Sequence, residues 1–140
     1  MTTAIVTDST TSLPEDIRER PNLRVAPLTF SFGPEETYTD KVDLSNVQFY
    51  EKLEASSSFP TTSQPPVGAF VEAYESLGAY DDILVLTLSR KFSGTHDSAV
   101  AAAEMVDQSV EVVDTKSAEM GSGLILLEAL HTIDQGGDFG

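Results

Sequence analysis

The chain has no cysteine. Disulfides, thiolate nucleophiles and cysteine-held zinc or iron–sulfur centres are therefore excluded, and a cytoplasmic setting fits. No apolar run is long enough to span a membrane. Met1–Val6 lacks a basic stretch followed by a long apolar one, so no signal peptide is expected. Basic residues are scarce: 8 Lys and Arg stand against 23 Asp and Glu, a formal net charge of −15. Nucleic acid is a poor partner, because phosphate binding needs clustered Lys and Arg. An anionic membrane surface repels such a chain for the same reason. The acidic excess is spread along the sequence and reads as a solvated surface. Neither a GxGxxG nor a GxxxxGK[ST] phosphate loop is present. No carboxylate cluster or histidine spacing suggests a metal, so no cofactor or metal is expected.

What is present is a globular composition. The 140 residues are 40% hydrophobic, enough for one domain with a real core. Strand and helix signals alternate along the chain. Thr3–Thr7 is a β-branched run, and Asp8-Ser9-Thr10-Thr11-Ser12 is a polar loop after it. Pro14 suits the first turn of a helix, with Ser12 as its cap, ending near Arg20-Pro21. Leu23 to Phe32 reads as extended chain broken at Pro27, and Thr37–Thr39 as a short further strand. Ser45 with Gln48 has the form of a capping box before a helix reaching Ala55. Ser56 to Pro65 reads as a polar loop, followed by a helix from Pro66. Ile83–Leu88 is a nearly continuous apolar run, the mark of a strand buried on both faces. A helix from Gly94 to Val106, a strand at Val110–Val113 and a helix from Ser117 to about Asp134 complete the pattern. The expected fold is α/β, a mostly parallel sheet flanked by helices on both faces. Ligands of such sheets bind beyond the carboxyl ends of the strands. Asp8-Ser9-Thr10, Ser89–Thr95 and Asp114-Thr115 all follow strands and should gather there.

Two hydroxyl-rich segments precede helix signals: Thr61-Thr62-Ser63-Gln64-Pro65 and Ser93-Gly94-Thr95. Helix N-termini have unpaired N–H groups and partial positive charge, which suits a carboxylate or phosphate. Gly94 lets backbone approach a ligand closely. Both segments also read as ordinary capping turns. Asp8 invites a phosphatase reading, but a second acid two residues on is missing, because that position is Thr10. His96 lies near Ser93 without a nucleophile elbow, and His131 falls inside the last helix. A small-molecule hydrolase or phosphatase using Asp8 or His96 is the alternative to a binding protein.

Taken in order, several segments resemble the DegV family: Ile5–Thr10, Val25–Leu28, Tyr38–Asp40, Phe49-Tyr50, Pro60–Pro65, Leu88-Ser89, Ser93–Thr95 and Val113–Thr115. The resemblance covers most of the chain. It implies a lipid-binding protein, not an enzyme, that holds a long-chain fatty acid in a buried tunnel. It implies presentation of the carboxylate to a separate fatty-acid kinase subunit, which makes acyl phosphate. The family's carboxylate contacts fall on Thr62 and Ser93, with Ser63 and Gly94 in support and no catalytic residue. Family members also carry a second domain that covers the acyl chain. Residues 1–140 are thus expected to be the N-terminal lipid-binding domain, ending at Gly140 without the second. An apolar face is expected where that lid would dock, with self-association through it.

Overall fold

In the run Ile83–Leu86, side chains point alternately to opposite faces of a sheet, and both faces are covered. Ile83 and Val85 join Ala4, Val6, Phe70, Tyr74, Ala99 and Ala102 in one buried cluster. Leu84 and Leu86 join Ile5, Leu23, Leu126 and Leu130 in another. This is the alternation a pleated strand imposes when helices lie on each side. The computed structural model describes residues 1–137. Gly140, where the domain was expected to end, lies outside the described residues.

The principal sheet is built from β1 (Thr3–Asp8), β2 (Leu23–Ala26), β6 (Asp82–Thr87) and β7 (Ser109–Asp114). Its order is β2-β1-β6-β7, and every pairing is parallel. Helices α3 (Val67–Glu75) and α4 (Thr95–Ala103) cover one face. Helix α5 (Glu119–Asp134) covers the other, beside the short α1 (Glu15–Arg18). The fold expected from the sequence is the fold observed.

The segment after β2 leaves this sheet. Pro27 lacks an N–H and cannot continue a ladder, so the chain breaks there. It resumes as β3 (Thr29–Phe32) in a second, antiparallel sheet with β4 (Glu36–Thr39) and β5 (Pro60–Ser63), in the order β4-β3-β5. Residues 60–63 were expected to be loop. They pair instead with β3, Phe30 opposite Thr62 and Phe32 opposite Pro60. The β-branched Thr61 and Thr62 favour extended backbone, and Pro60 takes the first position, where a missing N–H is tolerated.

Helix α2 (Asn46–Ala55) lies against the small sheet, with the expected capping box between Ser45 and Gln48 in place. Phe49 docks on Phe30 and Phe32, ring centroids 5.0 and 5.9 Å apart. The Lys52 ammonium sits over Phe32 and Tyr38 and pairs with Glu36. No residue of α2 is buried. The expected Ser12 cap on α1 does not form. Pro14 stands at that N-cap without a side-chain bond, and the Ser12 hydroxyl donates to Glu119 instead.

Candidate functional site

The strand ends gather as parallel topology requires. Asp8 closes β1, and both its oxygens are engaged. Oδ1 accepts the Thr10 N–H at 3.0 Å and the Thr10 hydroxyl at 2.5 Å; Oδ2 accepts the Leu88 N–H at 2.8 Å. Asp8 thus binds the loop after β1 to the loop after β6. It is fully buried, and burial pushes its carboxyl above the ordinary value of 3.8, with the hydrogen bonds from Thr10 and Leu88 opposing. A nucleophilic aspartate needs an accessible oxygen, and this one has none to offer. Beyond β7, Thr115 donates its hydroxyl to Thr87 O at 2.7 Å. Asp114 accepts from Lys116 N and Arg90 N; these N–H groups, Lys116 foremost, hold its carboxyl below the usual range.

Ser93 and Gly94 lie at the start of α4, with Gly94 at the N-cap. The Ser93 Oγ accepts the Thr95 N–H at 3.2 Å and lies 2.8 Å from the Thr95 hydroxyl. Among the described residues, no acceptor faces the amides of His96 and Asp97, so the helix end keeps donors for an anion. His96 is buried, its Nδ1 3.2 Å from the Thr87 hydroxyl. No hydrogen bond links it to Ser93, so these two do not form a nucleophile–base pair.

Thr62 and Ser63 occupy β5, not a helix N-terminus. Helix α3 begins at Val67 with Pro66 as its N-cap. Gln64, Pro65 and Pro66 separate strand from helix. The amides of this helix end belong to Val67 and Gly68, while Thr62 and Ser63 stand on β5 before the prolines. The hydroxyl segment reaches α4 through Gln64, whose Nε2 donates to Ser98 Oγ at 3.1 Å. Gln64 also lies against Gly94. A Cβ there would stand 2.9 Å from Gln64 Cδ and closer still to Oε1. Gly94 thus admits a neighbouring side chain, a close approach that only glycine permits. No hydrogen bond joins Thr62 to Ser93 directly.

A cleft of about 280 Å³ opens between the small sheet with α2 and the loop after β1. Thr62 borders it, as do Ser9 and Thr10 from the loop after β1. Leu28, Phe30, Leu44, Phe49 and Tyr50 supply an apolar wall, and Asp40, Lys41 and Glu119 bring charge to it. An apolar cleft with a few polar groups at its rim suits a ligand with a hydrocarbon body and a polar head. Ser93 does not border this cleft; it stands at the α4 end reached through Gln64. The contributions of Gln64, Lys41 and the aromatic pair Phe49-Tyr50 to this region were not assigned from sequence. The tandem hydroxyls Thr61-Thr62 before Gln64 were the one signal that a strand could deliver them there.

Comparison with known proteins places the chain among relatives. Residues 2–140 match the family described as uncharacterised proteins of the DegV family. A DegV domain-containing 15.5 kDa protein from Staphylococcus aureus is 40% identical over 131 residues, which cover 92% of this chain and 91% of that protein. The crystal structure of DegV, a fatty acid binding protein from Bacillus subtilis, superposes with a TM-score of 0.90 at 40% identity, over 97% of this chain and 49% of that one. A structure of fatty acid binding by a DegV family protein from Thermus thermophilus gives 0.89 at 37% identity, over 99% and 50%. The chain spans about half the length of the first curated relatives it matches, 48% for a longer Staphylococcus aureus protein.

Proposed function

The chain belongs to the DegV family, and on that premise we propose that it binds a long-chain fatty acid and holds the carboxylate for a fatty-acid kinase subunit. Thr62 and Ser93 are the proposed carboxylate contacts, with Ser63 and Gly94 in support. The reading rests first on the cleft beside the small sheet, apolar along Leu28, Phe30 and Phe49 and bordered by Thr62. It is further supported by relatives at 37–40% identity whose crystal structures are of fatty-acid-binding proteins. Free amides at the α4 N-terminus suit a carboxylate, and Gln64 couples that terminus to β5.

In this reading the chain binds and orients and does no chemistry itself. An acid head held by hydroxyls and helix amides remains ionised and keeps its oxygens near the protein surface. The kinase subunit then transfers phosphate to it. Self-association is proposed through the exposed strip of α5, where Met120 and Leu124 stand four residues apart and are 47% and 60% exposed.

The test is organic extraction of the purified protein followed by mass spectrometry. The reading expects a long-chain fatty acid in stoichiometric amount, and acyl phosphate when kinase subunit and ATP are added. Protein that carries no fatty acid and takes up none from solution overturns it.

A further inference from the structure

Lys41 is the one Lys or Arg that borders the cleft shared with Thr62. Its position is tightly built. The Nζ donates to Ser9 O at 2.6 Å and reaches Thr11 O at 3.5 Å, so the ammonium is pinned to the loop after β1. That loop is itself fixed by Asp8. From the other side, residues 39–44 form a closed turn. Thr39 O accepts from Val42 and Asp43, Thr39 N donates to the Asp43 carboxylate at 2.5 Å, and Asp40 bridges to Leu44.

Within this turn Lys41 has a φ of +57°, a left-handed backbone that lysine seldom adopts. Glu119, which borders the same cleft, has a φ of +53°. Two of the three non-glycine residues with this conformation among the described residues therefore face one cavity. Such backbone persists where the surroundings hold it in place, and it clusters at ligand sites. Glu119 accepts from the Ser12 hydroxyl, whereas Lys41 takes part in no ion pair among the described residues.

Charge gives this geometry a purpose. An ionised acid approaches a chain of net charge −15 and a cleft already bordered by Asp40 and Glu119. Hydroxyls can hydrogen-bond a carboxylate but cannot offset that repulsion, and a fixed ammonium in a partly desolvated cleft can. We propose that Lys41 is the cationic contact for the ligand's acid head, aimed by its left-handed backbone and held by the Ser9 carbonyl. This deepens the fatty-acid reading and rests on it. It makes Lys41 a determinant of selectivity for acids over uncharged lipids of the same length.

The experiment compares palmitate with hexadecanol, below their aggregation limits, on the intact chain and on Lys41→Gln and Lys41→Arg. Glutamine keeps a donor for Ser9 O and removes the charge. Lys41→Gln should weaken palmitate at least about tenfold and leave hexadecanol unchanged, the loss expected for one charged hydrogen bond. Lys41→Arg should keep most of the preference for the acid. Added salt should weaken palmitate in the parent chain more than in Lys41→Gln. An acid-to-alcohol ratio unchanged in Lys41→Gln overturns the assignment, as does equal weakening of both ligands, which would mark Lys41 as a structural pin. A parent chain that binds neither ligand overturns the fatty-acid reading itself. If Lys41→Gln fails to fold, the salt dependence and the acid preference of the parent and Lys41→Arg decide: no preference for palmitate in either contradicts the proposal.

Discussion

The carboxamide of Gln64 lies across the α-carbon of Gly94 while its Nε2 donates to Ser98. Through this one contact the end of β5 meets the start of α4, and the two hydroxyl segments become parts of one region. Gly94→Ala would force Gln64 aside, since a Cβ would stand 2.9 Å from its Cδ. Gln64 is exposed and can swing away, so thermal stability should change by no more than about 1 kcal/mol. Fatty-acid binding should fall, because β5 and α4 lose their coupling. Calorimetric melting and palmitate titration of the same variant check both parts; unaltered binding would show that the contact has no bearing on the site.

Asp8 offers a prediction in pH. Burial raises its pKa above 3.8, so the folded chain holds this proton more tightly than the unfolded chain does. Its contribution to stability is complete below pH 3.8 and is lost as pH rises through the folded-state pKa. Asp81, Asp114 and Asp134 move the other way, held low chiefly by Thr2 N–H, Lys116 N–H and the Arg20 side chain. Carboxyl-carbon NMR titration should therefore separate one aspartate above the ordinary value from these three below it. A midpoint for Asp8 at or under 3.8 would contradict the burial that the structure gives it.

Gly123 sets the distance between α5 and the loop after β1. A Cβ at this position would come within 2.6 Å of the Ser12 carbonyl oxygen, and backbone cannot swing aside as Gln64 can. Gly123→Ala should destabilise the chain by about 1–3 kcal/mol, the range for overpacking against fixed atoms. Urea denaturation at constant m-value is the check. Because Ser12 also meets Glu119 at the cleft, the variant should weaken ligand binding beyond the loss of stability.

How much of this was legible beforehand depended on whether the cause was local. Ile83–Leu88 declared a doubly buried strand because every residue in it is apolar or β-branched. Ser45 and Gln48 declared a helix start because both halves of a capping box lie three residues apart. The site was read less completely. Thr61–Ser63 becomes a strand only by pairing with β3, about thirty residues earlier in the chain, as the register of Phe30 with Thr62 shows. Its hydroxyl side chains carry no apolar alternation to announce that pairing. Pro66 does stand at the start of α3, but the hydroxyls of Thr62 and Ser63 lie on the strand before it and not at that helix end. Lys41 gave no sign at all, because left-handed backbone at a non-glycine residue is imposed by the turn around it. The hydroxyls at Thr62 and Ser93 stood out in sequence; the Gln64 side chain that joins their segments did not.

The central claim is that this chain grips a fatty acid by its carboxylate through Thr62 and Ser93. The most direct measurement is palmitate titration of the parent chain against Thr62→Ala/Ser93→Ala, with folding of both confirmed by their melting curves. Saturable binding by the parent and a loss of at least about tenfold in the double variant is the predicted result, since each hydroxyl donates to a charged acceptor. Equal affinity in a folded double variant would contradict the account.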